Sequence, residues 1–251
     1  MNKLQALYRA NRGRGKGLRV EATDDDEPRM MIYDIIVSSD ADAEWWGGAS
    51  AESFVRALQT MSAPRVHVHI NSPGGDAFAG IAMAQAIRAY PGEVVVHVDG
   101  LAASAAGFLV ASAPRAIMAL GAMIMVHKSW TWAVGNSNDL IAQAAVLEKL
   151  DSQQVELFKT KNEDYDWEAA LAAETWFTAT EAIALGLATE HAAQEPGQPA
   201  AKAHAFDLSV FGRAPSVPET TSSPLEVEAA NDPDQVARRS RIARMHKYRN
   251  P

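Results

Sequence analysis

No cysteine occurs in the 251 residues, which excludes a disulfide framework, a thiolate nucleophile and any cysteine-ligated zinc or iron–sulfur centre. Positive charge is not in excess either: 23 Lys and Arg stand against 31 Asp and Glu, a formal net charge of -8. Such a balance gives no general electrostatic reason for binding nucleic acid or a membrane surface, so the expected partners are proteins. A long apolar run is missing as well. The most apolar stretch, Gly100 to Val126, is rich in Ala and Gly and is broken by Pro114 and Arg115, which suits a buried strand and helix rather than a membrane span. Near the N-terminus Lys3, Arg9, Arg12, Arg14, Lys16 and Arg19 have no apolar stretch behind them. No secretory signal is therefore expected, and the protein should stay in the cytoplasm where it is made.

The chain is long enough for one large α/β domain with tails. Residues 1–28 run from a basic, glycine-containing segment into Asp24-Asp-Asp-Glu27-Pro28; this composition predicts a flexible arm. A folded domain is expected over 29–191. Met30 to Val37 reads as the first strand, followed by a turn-rich stretch around Trp45-Trp-Gly-Gly48 and a helix from about Ser50 to Met61. Arg65 to Ile70 alternates as a half-buried strand, and Ala77 to Tyr90 carries Ile81, Ala84 and Ile87 on one helical side. Glu93 to Val98 predicts a strand, Ser104 to Ala113 a helix, and Ala116 to Val126 one or two further strands. The spacing from Asn138 to about Thr160 predicts a long helix, with strand-like Thr175–Thr178 and a helix stopped at Gly186 after it. Strands alternating with helices imply a largely parallel sheet with right-handed crossovers. Residues 192–251, with prolines at 196, 199, 215, 218, 224 and 233, predict a linker or tail ending in a basic segment from Gln235 to Arg249.

Three segments carry chemistry. Ser104 stands among small residues in Gly100-Leu-Ala-Ala-Ser104-Ala-Ala-Gly107. At the start of a predicted helix its hydroxyl is approachable, and the N–H of Ala105 can face a developing oxyanion. A serine is a poor nucleophile at neutral pH and needs an imidazole base. His127 supplies a candidate, following the apolar run Met123-Ile-Met-Val at a strand exit. Asn71-Ser-Pro-Gly-Gly75 ends a strand, where an open α/β sheet places its ligand crevice, and its glycine pair lets the Gly75 N–H turn toward a substrate carbonyl. His67 and His69 lie two apart on one strand face without an evident third ligand, and His97 sits in a buried-looking strand. Neither arrangement predicts a metal site, and no cofactor is expected.

Together these segments resemble the Clp protease proteolytic subunit. The likeness runs from about residue 30 to 190 and includes Trp176-Phe-Thr-Ala-Thr-Glu-Ala-Ile-Ala-Leu-Gly-Leu187. It implies an α/β fold of repeated β-β-α units, as in the wider ClpP/crotonase group, with a long handle helix. It also implies Ser104 as nucleophile, His127 as general base, and oxyanion donors at the N–H groups of Gly75 and Ala105. The family's acidic third member falls here on Glu174 in place of the usual aspartate, with Asp164, Asp166 or no carboxylate as rivals. Tyr33 to Val37 and Trp45 to Phe54 are similar to ClpP-related prohead proteases of tailed bacteriophages. That likeness implies cleavage of capsid or scaffold proteins, in the cytoplasm of a bacterial host or within the assembling prohead. The alternatives are a proteolytic subunit paired with an ATP-dependent unfoldase, an acyl-CoA enzyme, a Ser-Lys peptidase using Lys128, and a non-catalytic capsid scaffold. Family likeness further implies a ring-shaped homo-oligomer with the helix after Asn138 at the contact between rings.

Overall fold

Parallel strand pairing organises the fold, with the β-branched segments Arg65–Ser72 and Glu93–Ala103 at its centre. Parallel pairs need helical crossovers to return the chain; in Arg65–Ser72 the face of Val66, Val68 and Ile70 is buried, while Arg65, His67 and His69 on the other stay partly exposed. The computed structural model describes residues 2–21, 27–193 and 206–215, and the described residues up to Ala214 belong to one compact unit. In chain order these are α1 (Lys3–Asn11), β1 (Leu18–Glu21), β2 (Arg29–Ile32), β3 (Ile36–Val37), α2 (Asp40–Trp46), β4 (Ala49–Ser50) and α3 (Ala51–Thr60). Next come β5 (Arg65–Ser72), α4 (Ala77–Ala89), β6 (Glu93–Ala103), α5 (Ala105–Ser112), β7 (Arg115–Met118) and β8 (Met123–Val126). The rest are α6 (Ser137–Lys159), α7 (Trp167–Ala173), β9 (Thr175–Thr178), α8 (Ala179–Ala184) and β10 (Glu190–His191).

The main sheet runs β1-β2-β5-β6-β7-β10, parallel except for the antiparallel β1–β2 pair. β6 is long enough to serve two neighbours: Val95 to Val98 pair with β7, and Leu101 to Ala103 pair with β8. β8 in turn pairs antiparallel with β9. This fork carries the end of β6 beyond the first layer and directs the chain after Ala103 toward the exit of β8. Val66, Val68, Ile70, Val94, Val96 and Val98 fill the main core under α3, α4 and α5. Helix α5 is buried along its whole length, which explains its small residues: a Cβ on Gly80 of α4 would stand 2.9 Å from the Ala105 Cβ.

Several expectations change. Met30 to Val37 is not one strand, because the buried Asp34 turns the chain, accepting from the N–H groups of Gly17 at 3.0 Å and Ile35 at 2.8 Å. β3 therefore pairs with β4 in a small second sheet. The turn-rich reading around Trp45 gives way to α2, whose N-terminus is closed by a capping box of Ser39 and Asp42. β6 continues through Gly100-Leu-Ala-Ala103, five residues past the predicted end.

The expectation of a flexible arm over 1–28 is corrected for its described part. α1 is capped by Asn2 and docks through Leu7, Tyr8 and Asn11, with the Tyr8 hydroxyl donating to the Ile36 carbonyl at 3.0 Å. Burying Leu7 and Tyr8 contributes about 2 kcal/mol each toward ordering a nine-residue helix that composition alone marks as polar. Part of the expected tail is ordered too. Phe206 and Phe211 join Leu7, Tyr8, Ile35, Leu101, Ala103 and Met125 in a second apolar cluster on the opposite face of the sheet. The basic segment from Gln235 to Arg249 lies outside the described residues. No helix among the described residues is long and apolar enough to cross a membrane.

Candidate active site

Ser104 sits at the junction of β6 and α5 with φ 53° and ψ -124°, one of two non-glycine residues at positive φ among the described residues. A left-handed backbone on a side-chain-bearing residue costs about 1–3 kcal/mol and persists only where its surroundings hold it. Here the Ser104 N–H donates to the Met125 carbonyl and the Ser104 carbonyl accepts from the Gly107 N–H, both at 2.8 Å. The sharp turn lifts the hydroxyl out of the sheet, as strand-to-helix turns that present a nucleophile do. The Ser104 Oγ lies 2.8 Å from His127 Nε2.

His127 follows β8 and is only 6 % exposed. Burial is the main influence on its ring and holds it down to about 4; the Glu174 charge opposes this, Lys3 reinforces it, and a hydrogen bond with the Lys128 backbone favours the protonated ring. At neutral pH the imidazole is therefore uncharged, the state that can accept the serine proton. Lys128 itself reaches toward Asp151, 4.0 Å away, with a side chain 60 % exposed, so it is not the partner of Ser104.

The glycine turn closes the other side. The Gly74 carbonyl accepts from Ile36 N–H at 2.8 Å, and the Asp76 N–H donates to the Ile36 carbonyl at 3.0 Å. A Cβ on Gly74 would stand 2.5 Å from the Ala103 carbonyl and 2.8 Å from the Ser104 Cβ, and one on Gly75 would meet the Ile36 carbonyl at 2.0 Å. Only glycine permits this approach at φ 88° and 156°. None of the described residues accepts a hydrogen bond from the N–H of Gly75 or of Ala105, the donors expected for an oxyanion.

Glu174 stands in the left-handed conformation after α7. Its carboxylate accepts from Gly212 N–H at 2.9 Å, from Arg213 N–H at 2.5 Å and from the Trp176 indole at 3.5 Å. It influences His127 through its charge, while its recorded hydrogen bonds go elsewhere. Asp166 caps α7 through the Ala169 N–H at 2.9 Å. Sequence reasoning missed the aromatic wall: the His127 ring centroid is 4.4 Å from that of Trp130 and 5.5 Å from that of Phe211, and Lys3 lies over Trp130 at 4.6 Å. The two tryptophans so near the motifs, and the phenylalanine pair in a Pro- and Ala-rich stretch, were the available signals.

A second polar cluster lies elsewhere on the sheet. His67 Nδ1 is 2.8 Å from His97 Nε2, His67 Nε2 is 2.9 Å from Glu27, and His69 Nδ1 is 2.9 Å from Asp99, which also accepts from the Tyr33 hydroxyl. Among the described residues no three ligating groups are placed to hold a metal.

The family model described as Clp protease matches residues 35–194. The chain belongs to the Clp protease family. The ATP-dependent Clp protease proteolytic subunit 1 of Protochlamydia amoebophila is 34 % identical over 180 residues, covering 67 % of this chain and 82 % of the relative. Proteolytic subunit 3 of Rhodococcus jostii is 32 % identical over 130 residues, 48 % of this chain and 61 % of that one. The chain thus spans about three-fifths of the length of that relative. Among solved structures, a point mutant of ClpP1 from Listeria monocytogenes shares the fold, with a TM-score of 0.56 at 19 % identity over 68 % of this chain and 93 % of the other.

Proposed function

We propose that this Clp-family protein is a serine endopeptidase that hydrolyses peptide bonds through an acyl-enzyme. The observation carrying the reading is the 2.8 Å contact between Ser104 Oγ and His127 Nε2 on a strained strand-to-helix turn. Ser104 attacks the peptide carbonyl while His127 takes its proton. The N–H groups of Gly75 and Ala105 receive the negative oxygen, and His127 then protonates the leaving amine. Water enters by the same base and releases the acyl group, with no metal or cofactor in the sequence. The Glu174 charge steadies the imidazolium that forms at each proton transfer.

The relatives are named as proteolytic subunits of ATP-dependent Clp proteases, which favours a ring-shaped peptidase fed by an ATP-dependent unfoldase in a bacterial cytoplasm. Capsid or scaffold cleavage during phage head maturation is the second reading, supported by the Tyr33 to Val37 and Trp45 to Phe54 segments and the extension past His191. Intact-mass analysis of unstructured casein incubated with the purified chain and with Ser104→Ala tests the shared chemistry: fragments only with the parent chain are expected, and equal cleavage by both would overturn it. Adding a Clp ATPase to folded substrates, and separately supplying capsid and scaffold proteins without ATP, separates the two settings.

A further inference from the structure

A downstream segment of the chain packs against the catalytic pair. Phe211 is buried, with its ring 5.5 Å from His127, 5.1 Å from Trp130 and 6.1 Å from Trp176. The residues around it are held as firmly. Asn11 of α1, fully buried, spends its amide on the Asp207 backbone: Nδ2 donates to the Asp207 carbonyl at 3.0 Å and Oδ1 accepts from the Asp207 N–H at 2.7 Å. A turn closed by Phe211 N–H on the Leu208 carbonyl at 2.9 Å presents the successive N–H groups of Gly212 and Arg213 to the Glu174 carboxylate. Successive N–H groups of this kind form an anion cradle.

We propose that the space bounded by His127, Trp130 and Trp176 is a substrate side-chain site for a large aromatic residue, and that Phe211 occupies it as a tethered ligand. The inference rests on the serine-peptidase reading and gives it a substrate class. The two indoles and the imidazole surround the Phe211 ring at interplanar angles of 35° to 80°, and tilted contacts of this kind favour an aromatic ring over an aliphatic one. The same segment draws the Glu174 carboxylate into backbone hydrogen bonds and lays the Phe211 ring against the buried His127. The chain therefore rests in a closed form that a peptide substrate must displace.

The test uses the full chain and two variants, Phe211→Ala and Phe211→Leu, the second retaining apolar bulk in case the first fails to fold. Labelling of Ser104 by a small alkyl fluorophosphonate reports access, and N-acetyl-phenylalaninamide serves as the pocket probe with N-acetyl-alaninamide as control. Labelling at least ten-fold faster in Phe211→Ala than in the parent is expected. N-acetyl-phenylalaninamide should slow that labelling and raise the melting temperature of the variant, while the alanine analogue does neither and the parent responds to neither. Equal labelling rates in parent and both variants would overturn the tethered-ligand role. Labelling and melting of the variants that ignore N-acetyl-phenylalaninamide would overturn the aromatic site. Absence of Ser104 labelling in every form, alongside a melting shift specific to the phenylalanine probe, would support the pocket and sink the peptidase reading instead.

Discussion

Acidification should destabilise this protein well above the pH at which its carboxylates lose their charge, because one imidazole is buried and a second is half-buried in the neutral state. Burial holds His127 down to about 4, helped by Lys3 and opposed by Glu174 and the Lys128 backbone. Burial also holds His97 down to about 3, helped by His69, His67 and Arg115 and opposed by Asp99. In an unfolded chain both rings titrate near 6.5 (about the free-histidine value). A histidine with a depressed folded pKa has its full stabilising effect above the unfolded value. That effect is lost as pH falls, because the unfolded chain binds the proton first. Between pH 7 and pH 5 each ring should remove about 2 kcal/mol, roughly 4 kcal/mol for the pair. Against a typical domain stability of roughly 5–15 kcal/mol, that is a large fraction. Urea unfolding followed by tryptophan fluorescence at pH 7, 6 and 5 measures it directly. His97→Gln, which keeps a hydrogen-bonding side chain beside His67 but cannot take up a proton, should lose only half as much over the same interval. A parent chain losing less than about 1 kcal/mol from pH 7 to pH 5, or a His97→Gln chain losing as much as the parent, would refute the reasoning.

Other substitutions probe the site. Gly74→Ala must place a Cβ 2.5 Å from the Ala103 carbonyl at φ 88°, so it should cost about 1–3 kcal/mol and reduce Ser104 labelling by at least ten-fold; unchanged labelling would show that the turn does not set the serine. His127→Ala should abolish casein cleavage, and Glu174→Ala should reduce it less, since Glu174 acts on the ring by charge while its hydrogen bonds go to Gly212 and Arg213; parent-level activity in Glu174→Ala removes the carboxylate from the mechanism. Asn11→Ala leaves the Asp207 backbone groups without their side-chain partner, for about 1–3 kcal/mol, and should speed Ser104 labelling as Phe211→Ala does. The acid limb of Ser104 labelling should lie near pH 4 in the parent and move toward the free-histidine value in Phe211→Ala, where water reaches the ring; a limb that stays in place would separate His127 from the covering segment.

What could be read before folding and what could not divides along the range of the interactions. Ser104, His127 and the Gly74–Gly75 turn are legible because each is fixed by its own neighbours: small residues around the serine, an apolar run before the histidine, two glycines at a strand end. The largely parallel character of the sheet is legible because strand and helix patterns alternate along the chain, whereas the order β2-β5-β6-β7 is set by pairing between distant strands. The left-handed backbone of Ser104 is not legible, because it depends on β6 running on to Ala103 and on a bond from Ser104 to Met125 in another strand. Helix α1 does carry Leu4, Leu7, Tyr8 and Asn11 at helical spacing, yet the arginines and glycines after it dominate any average over composition. Its order comes from Ile36 and from the Asp207 backbone, 28 and 196 residues away. Glu174 shows the limit most sharply. Its position follows from the pattern before Trp176, but its carboxylate is directed by backbone N–H groups 38 and 39 residues downstream, and a backbone N–H leaves no mark in the sequence. The pocket that takes Phe211 exists only once β8, β9 and α1 are assembled, so the residue best placed to control access to His127 is the one that local reasoning assigns to a tail.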